Sequence, residues 1–226
     1  VNPAEHHNFI RKYQDYKDPF INPNIDINST NLDINHGRFK YFDYIQNNLH
    51  LAFFTHNLDI GGAPLLVFDF VKKLVSYGYK VTVISAKKGQ LEQNFKSLKN
   101  VRLIIKEIDI VAPCTNLESM IEKYFQGLNE VFERSTPDII YANTMLSYPA
   151  VLYARRYGLL SRWLIHEEYS VPELLVNFNG QKGLKLIREA FKFCSKVVYE
   201  SQYLSKYYKF FHKKNYEVRQ GGIDFR

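Results

Sequence analysis

Apolar and polar positions alternate in blocks along the chain. From residue 50 onward short apolar runs trade places with longer amphipathic stretches. Leu51 to Phe54 is a short apolar run of the length and composition of a buried parallel strand. A polar loop follows, Thr55 to Ile60, and then the pair Gly61-Gly62. Pro64 stands where a helix tolerates proline, in its first turn. Val67, Phe70, Val71 and Leu74 then repeat at helical spacing, with Asp69, Lys72 and Lys73 on other faces. Gly78 is placed to stop that helix. The block reads as strand, glycine turn, helix, and it leaves backbone N–H groups at a helix N-terminus, suited to phosphate or carboxylate.

The same alternation continues. Strands are predicted over Lys80 to Ser85, Val101 to Ile105, Ile139 to Ala142, Arg162 to Ile165, Lys196 to Tyr199 and Glu217-Val218. Helices are predicted over Gln90 to Leu98, Leu117 to Glu133, Leu146 to Tyr157, Leu184 to Cys194 and Gln202 to Phe211. Alternating strands and helices imply an α/β fold, a Rossmann-like, mainly parallel sheet with helices on both faces. The strands at Leu51, Ile139 and Arg162 belong near its centre because they are short and largely apolar. In such sheets ligands bind beyond the carboxyl ends of the strands. Thr55 to Ala63, Asn143 to Ser147 and His166 to Pro172 are therefore expected on one rim.

Residues 1–48 differ. Asn22 to Asn35 is rich in Asn and Asp and reads as loop. Gly37 is a hinge position, and RFKYFDYIQNN after it fits a short helix with Phe39, Phe42 and Ile45 turned inward. Residues 1–48 are thus expected to form an irregular N-terminal extension, and residues 49–226 the domain.

Composition narrows the classes. The 226 residues suffice for one substantial domain, and 46% of them are hydrophobic. Two cysteines, Cys114 and Cys194, make no disulfide framework, which favours a reducing compartment. No basic-then-apolar leader opens the chain and no apolar run approaches a membrane span, so a cytoplasmic location is expected. Thirty basic against 23 acidic side chains leave a net charge of +7, which favours an anionic partner. Composition alone leaves nucleic acid, acidic lipid and phosphorylated substrates open. Lys185, Arg188 and Lys192 share one helix face, opposite Leu184, Ile187, Phe191 and Cys194. That face is either ordinary solvated surface or a patch for an anionic membrane, peripheral at its inner side.

Several chemistries are excluded. There is no G-x-G-x-x-G, and Ala86-Lys87-Lys88 after the second strand offers no acid for a ribose. No P-loop and no G-x-S-x-G occur. His166-Glu167-Glu168-Tyr169-Ser170 begins like a zinc motif but has serine where the second histidine belongs, so no metal site is expected. Each remaining candidate has two readings. Gly61-Gly62 serves a structural turn or the approach of a phosphate. His166, beside Glu167, is a satisfied structural histidine or a substrate contact. Asn143-Thr144 caps the following helix or meets ligand.

In order, these segments resemble a family. LAFFTHNLDIGGAPLLVFDFVKKLVSYGYKVTVIS is similar to the opening of GT-B glycosyltransferases of family 4. PDIIYANT resembles the fourth strand of that family with its polar exit, and WLIHEEY its strand ending in His-Glu. KVVYESQYLSKYY is similar to the segment where serine opens the next helix. YEVRQGGID resembles the stretch that begins the linker to a second domain, with Gln220-Gly221 in place of Pro-Asn. The resemblance covers about residues 50–224 and implies the N-terminal, acceptor-side half of a two-domain enzyme. Such an enzyme transfers a sugar from a nucleotide-sugar donor to a glycan, lipid or other acceptor, retaining anomeric configuration, as in polysaccharide biosynthesis in bacteria.

By that resemblance His166 is the catalytic candidate, in contact with the transferring sugar. Gly61, Gly62 and Ala63 form the phosphate-approach loop, and Asn143, Thr144 and Glu167 complete the substrate site. No cofactor is implied beyond the nucleotide sugar as substrate, and no nucleic acid is expected as partner. Glu122 and Glu130 have the E-x₇-E spacing of the donor pair, but on a helix of the first half, so they read as surface charges. The donor domain is expected outside this chain, which alone is then expected to be inactive. The rival reading is a non-catalytic Rossmann-like module docking on an anionic membrane or polymer.

Overall fold

The structure, a computed structural model, describes residues 49–108, 116–211 and 215–219. The expected N-terminal extension, Gly37, Cys114 and the linker stretch from Gln220 lie outside the described residues.

Seven strands form one sheet in the order β3-β2-β1-β4-β5-β6-β7, parallel throughout. They are β1 (His50–Thr55), β2 (Lys80–Ser85), β3 (Val101–Ile105), β4 (Ile139–Asn143), β5 (Leu160–Ile165), β6 (Lys196–Tyr199) and β7 (Tyr216–Val218). The helices are α1 (Gly62–Ser76), α2 (Glu92–Ser97), α3 (Leu117–Phe132), α4 (Tyr148–Arg156), α5 (Val171–Asn177), α6 (Gly180–Phe193) and α7 (Gln202–Tyr207). Met145–Ser147 forms a 3₁₀ turn before α4. This is the expected Rossmann-like α/β sheet, with β1, β4 and β5 in its interior.

Alternation along each strand splits the core in two. Ala52, Phe54, Ile84, Ile140, Ala142, Trp163 and Ile165 pack with α3, α4 and α6 on one face. Phe53, Val81 and Val83 pack with Val67 and Val71 of α1 and Phe95 of α2 on the other. α1 covers only part of that second face. Phe70, expected inward, is instead 42% exposed. It lines an open apolar depression with Tyr141, Leu164 and Val198.

Other boundaries moved for identifiable reasons. The stretch taken as a rim loop through Pro172 turns helical at Val171. Ser170 caps it by accepting from Glu173 N, and the Glu173 side chain reaches back to Ser170 N at 2.6 Å. α6 begins four residues earlier than expected, after Asn179 in the left-handed conformation. α7 stops at Tyr207, short of Phe211. Gly78 has φ +88°, the left-handed geometry that ends α1.

Candidate functional site

Strand order reverses between β1 and β4, since the chain leaves β1 toward β2 and β3 and returns to β4. That reversal opens a crevice at the carboxyl ends of β1 and β4. The loops after β1, β4, β5 and β6 meet there in one chain of contacts.

Asn143, the last residue of β4, is the bridge. Its Nδ2 donates to the Ala63 carbonyl at 3.1 Å, and its Oδ1 contacts His166 Nε2 at 2.8 Å. The Ala63 carbonyl can only accept, so it orients the Asn143 amide and makes His166 Nε2 the donor. On the other side of the ring, Nδ1 meets Glu200 Oε1 at 2.7 Å. Both ring nitrogens therefore face acceptors. In a neutral ring one contact is given up, and Glu200, half-exposed, is the partner free to swing away. The register explains this trio. Ile165 pairs with Tyr199, so His166 and Glu200 are the next residues on adjacent strands.

Glu167 turns inward. Its Oε2 accepts from Met145 N at 3.1 Å and from His166 N at 3.3 Å, tying the β5 exit to the 3₁₀ turn. Thr144 does not cap that turn with its side chain. Its Oγ1 sits 3.3 Å from His56 Nδ1 instead. Its backbone, at φ 73° and ψ 163°, occupies a region that is essentially glycine-only. Trp163 Nε1 donates to the Thr144 carbonyl at 2.7 Å, and Thr144 N donates to Leu164 O at 2.9 Å, which together hold it there.

Gly61 and Gly62 open α1, and no side chain caps it. Gly61 has φ −160°, an extended conformation open to any residue. A Cβ on Gly62 would meet nothing within 4 Å, and one on Gly61 only Pro64 Cδ at 3.9 Å. The described fold thus gives no steric reason for either glycine. With Pro64 lacking an N–H, the free donors of this end are those of Gly61, Gly62 and Ala63.

His56, which was not singled out from the sequence, stands among these groups. It feels the charges of Glu167, Asp59, Lys87 and His166, and burial, the largest effect, holds its pKa below the ordinary 6.5. Glu200 was also missed. Lys185, Arg188 and Lys192 lie away from the rim, on the exposed face of α6, and line a shallow depression with Glu189. Glu122 pairs with Arg156 at 2.6 Å and Glu130 with Lys106 at 3.8 Å, as surface charges do. Among the described residues no cluster of His, Cys, Asp and Glu could hold a metal, and no helix is long and apolar enough to cross a membrane. Cys194 is free, and burial pushes its thiol up to about 11.

The family model of Glycosyltransferase Family 4 matches residues 60–226. The chain belongs to glycosyltransferase family 4. No match was found among curated proteins. Among solved structures the chain is similar to sucrose-phosphate synthase from Thermosynechococcus elongatus, at 13% identity and a TM-score of 0.57, over 76% of this chain and 47% of that one. It is similar to a glycosyltransferase from Rickettsia africae at 17% identity and 0.55, over 78% and 44%. A lipopolysaccharide outer core galactosyltransferase is similar at 11% and 0.55, over 79% and 47%. At these identities the likeness is one of fold, that of GT-B glycosyltransferases. The family 4 chain described here spans about half the length of the solved structures it matches.

Proposed function

We propose that the rim formed by β1, β4 and β5 is the acceptor-side half of a sugar-transfer site in a retaining, nucleotide-sugar-dependent glycosyltransferase. A second, donor-binding domain completes the site. The observation that carries the reading is the Asn143 bridge, which joins the glycine loop to His166 at the point where strand order reverses.

As the bond from anomeric carbon to phosphate oxygen breaks, its electron pair stays on the nucleoside diphosphate. The N–H groups of Gly61, Gly62 and Ala63 are oriented dipoles for that growing charge. The missing Cβ atoms leave the approach open. His166 donates to a hydroxyl of the transferring sugar once a substrate takes the place of an internal partner. Asn143 and Glu200 hold that ring in place, Glu167 holds the His166 backbone, and Thr144 keeps the β4 exit in its unusual turn. No metal or cofactor enters this reading.

The test is His166→Ala in the full-length protein, followed by kinetics and thermal melts. Loss of one contact made in the transition state costs about 2–4 kcal/mol, roughly 30- to 1000-fold in turnover. Removing the ring leaves Asn143 Oδ1 without its partner, so melting temperature should fall by a few degrees, while turnover measured where the variant is still folded should fall by the full factor. Unchanged turnover, or activity lost only in proportion to stability, would return His166 to a structural role.

A further inference from the structure

The two partners of the His166 ring are held unequally. Asn143 is 1% exposed, and its amide is tied to the Ala63 carbonyl. Turning that amide over would set its oxygen against the Ala63 oxygen, so Asn143 stays as it is and His166 Nε2 stays with it. Glu200 has no such anchor in its burial, since its side chain is 48% exposed. A carboxylate accepts, so its contact with the ring places a proton on Nδ1.

The strands explain why Glu200 faces His166 rather than an arginine. Alternation along β5 and β6 puts His166 and Glu200 on the α1 face with Leu164 and Val198, and all four line the open depression there. The other charged side chains of that depression are Lys73, Arg162, Glu217 and Arg219. Arg219 follows β7 directly opposite Glu200 in the register. Its Nε nevertheless turns to Glu217, at 2.8 Å, and Arg162 reaches the same carboxylate at 3.4 Å. Glu217 thus occupies both arginines, and the Glu200 carboxylate is left to the ring.

Nδ1 and Glu200 Oε1 are 2.7 Å apart, the span of one hydrogen bond. A hydroxyl set between them would accept from Nδ1–H and donate to the carboxylate. Two bonds of ordinary length meeting at a tetrahedral oxygen hold their ends about 4.6 Å apart, so Glu200 retreats by about 2 Å. A half-exposed side chain on a flexible stem allows that retreat. An ether oxygen has no proton for Glu200, and a bare carbon serves neither partner.

We propose that His166 and Glu200 read one hydroxyl of the transferring sugar as a unit, Nδ1–H donating to its oxygen and its O–H donating to Glu200. Glu200 is then a specificity-determining residue. The sugar rests on the transferase reading; the His166–Glu200 pair does not. The pair also sets the size of the selectivity. A rigid site left with an orphaned buried group rejects a deoxy analogue by about 10⁴ or more. Here the pair closes on itself when the hydroxyl is missing, so the factor is roughly 10- to 100-fold.

The test uses the full-length protein and the nucleotide sugar that it turns over best in a panel of donors. That donor is compared with its monodeoxy analogues at each hydroxyl of the sugar. At one position the native enzyme should favour the hydroxyl by roughly 10- to 100-fold in kcat/KM. Glu200→Ala should lose most of that preference by losing rate on the parent donor, and Glu200→Gln, which keeps an accepting oxygen, should fall between. With His166 already changed to alanine, Glu200→Ala should cost little more, because the two act together. The 226-residue chain gives a readout without turnover. In nitrogen NMR of its histidines, Glu200→Ala should move the His166 Nδ1 signal and leave Nε2, held by Asn143, in place. Equal discrimination by the native and Glu200→Ala enzymes at every position, or an Nδ1 signal that ignores the substitution, overturns the proposal. No turnover of any nucleotide sugar would remove the transferase reading and the sugar with it. An active enzyme indifferent to Glu200 would remove only this assignment.

Discussion

Thr144 offers a sharp test of the rim's construction, because its backbone and its side chain pull in opposite directions. Its φ of 73° and ψ of 163° cost a non-glycine residue about 1–3 kcal/mol. Its side chain is 1% exposed and its hydroxyl contacts His56 at 3.3 Å. Thr144→Ala keeps the strain and loses the hydroxyl contact and a methyl group, a loss of about 1–2 kcal/mol. Thr144→Gly loses the same contacts, and about 0.5–1 kcal/mol more to the freedom of the unfolded chain. It also releases the strain. The glycine variant should therefore be more stable than the alanine variant by about 1 kcal/mol, the reverse of the usual order within an ordered element. For a chain of this size that is about 2–4 °C in melting temperature. Thermal unfolding of the two variants beside the parent measures it. A glycine variant that melts at or below the alanine variant would refute the account of Thr144 as a strained residue held by Trp163 and Leu164.

Two further outcomes are expected. Burial holds the pKa of His50 and of His56 below 6.5 in the folded chain, while the unfolded chain takes up protons at about 6.5. Stability should thus be full above about pH 6.5 and fall as pH drops below it, and His50→Gln should flatten the fall; a melting temperature level from about pH 7.5 to about pH 5.5 would contradict this. If the α6 face meets a membrane, vesicle binding should need acidic lipid, disappear with Lys185→Glu/Lys192→Glu and weaken as the Debye length shrinks from about 10 Å at 0.1 M salt to about 3 Å at 1 M; equal binding to neutral vesicles would discard that role.

The sheet was legible because its strands are short apolar runs between helices of helical period, and that pattern leaves little freedom in topology. β2 and β3 have the expected bounds, and β1 and β5 differ by one or two residues. Gly61-Gly62 stood out as the turn that opens the first helix signal, and His166 because it closes a strand signal. Glu200 carried no such mark. It meets His166 only through the register of β5 on β6, which a linear pattern does not contain. The strain at Thr144 was equally hidden, since Trp163 and Leu164 impose it from the neighbouring strand. Phe70 was misplaced because helical spacing says which residues share a face, not how far a helix covers the sheet beneath it. The start of α5 was different. Ser170, Pro172 and Glu173 spell a capping box with proline in the first turn, a signal present in the sequence and not used.

The central claim is that the glycine loop admits the phosphates of a nucleotide sugar. It is tested most directly by Gly62→Val in the full-length protein, assayed for release of nucleoside diphosphate across a panel of nucleotide sugars. A Cβ on Gly62 meets nothing within 4 Å, and this glycine is not among those with positive φ. The valine variant should therefore melt within a few degrees of the parent, as a substitution away from packed contacts does. The parent should release nucleoside diphosphate from at least one donor, and the variant should do so roughly 30-fold or more slowly, a loss of about 2 kcal/mol of transition-state stabilisation. No release from any donor, or a variant as active as its parent, would contradict the account.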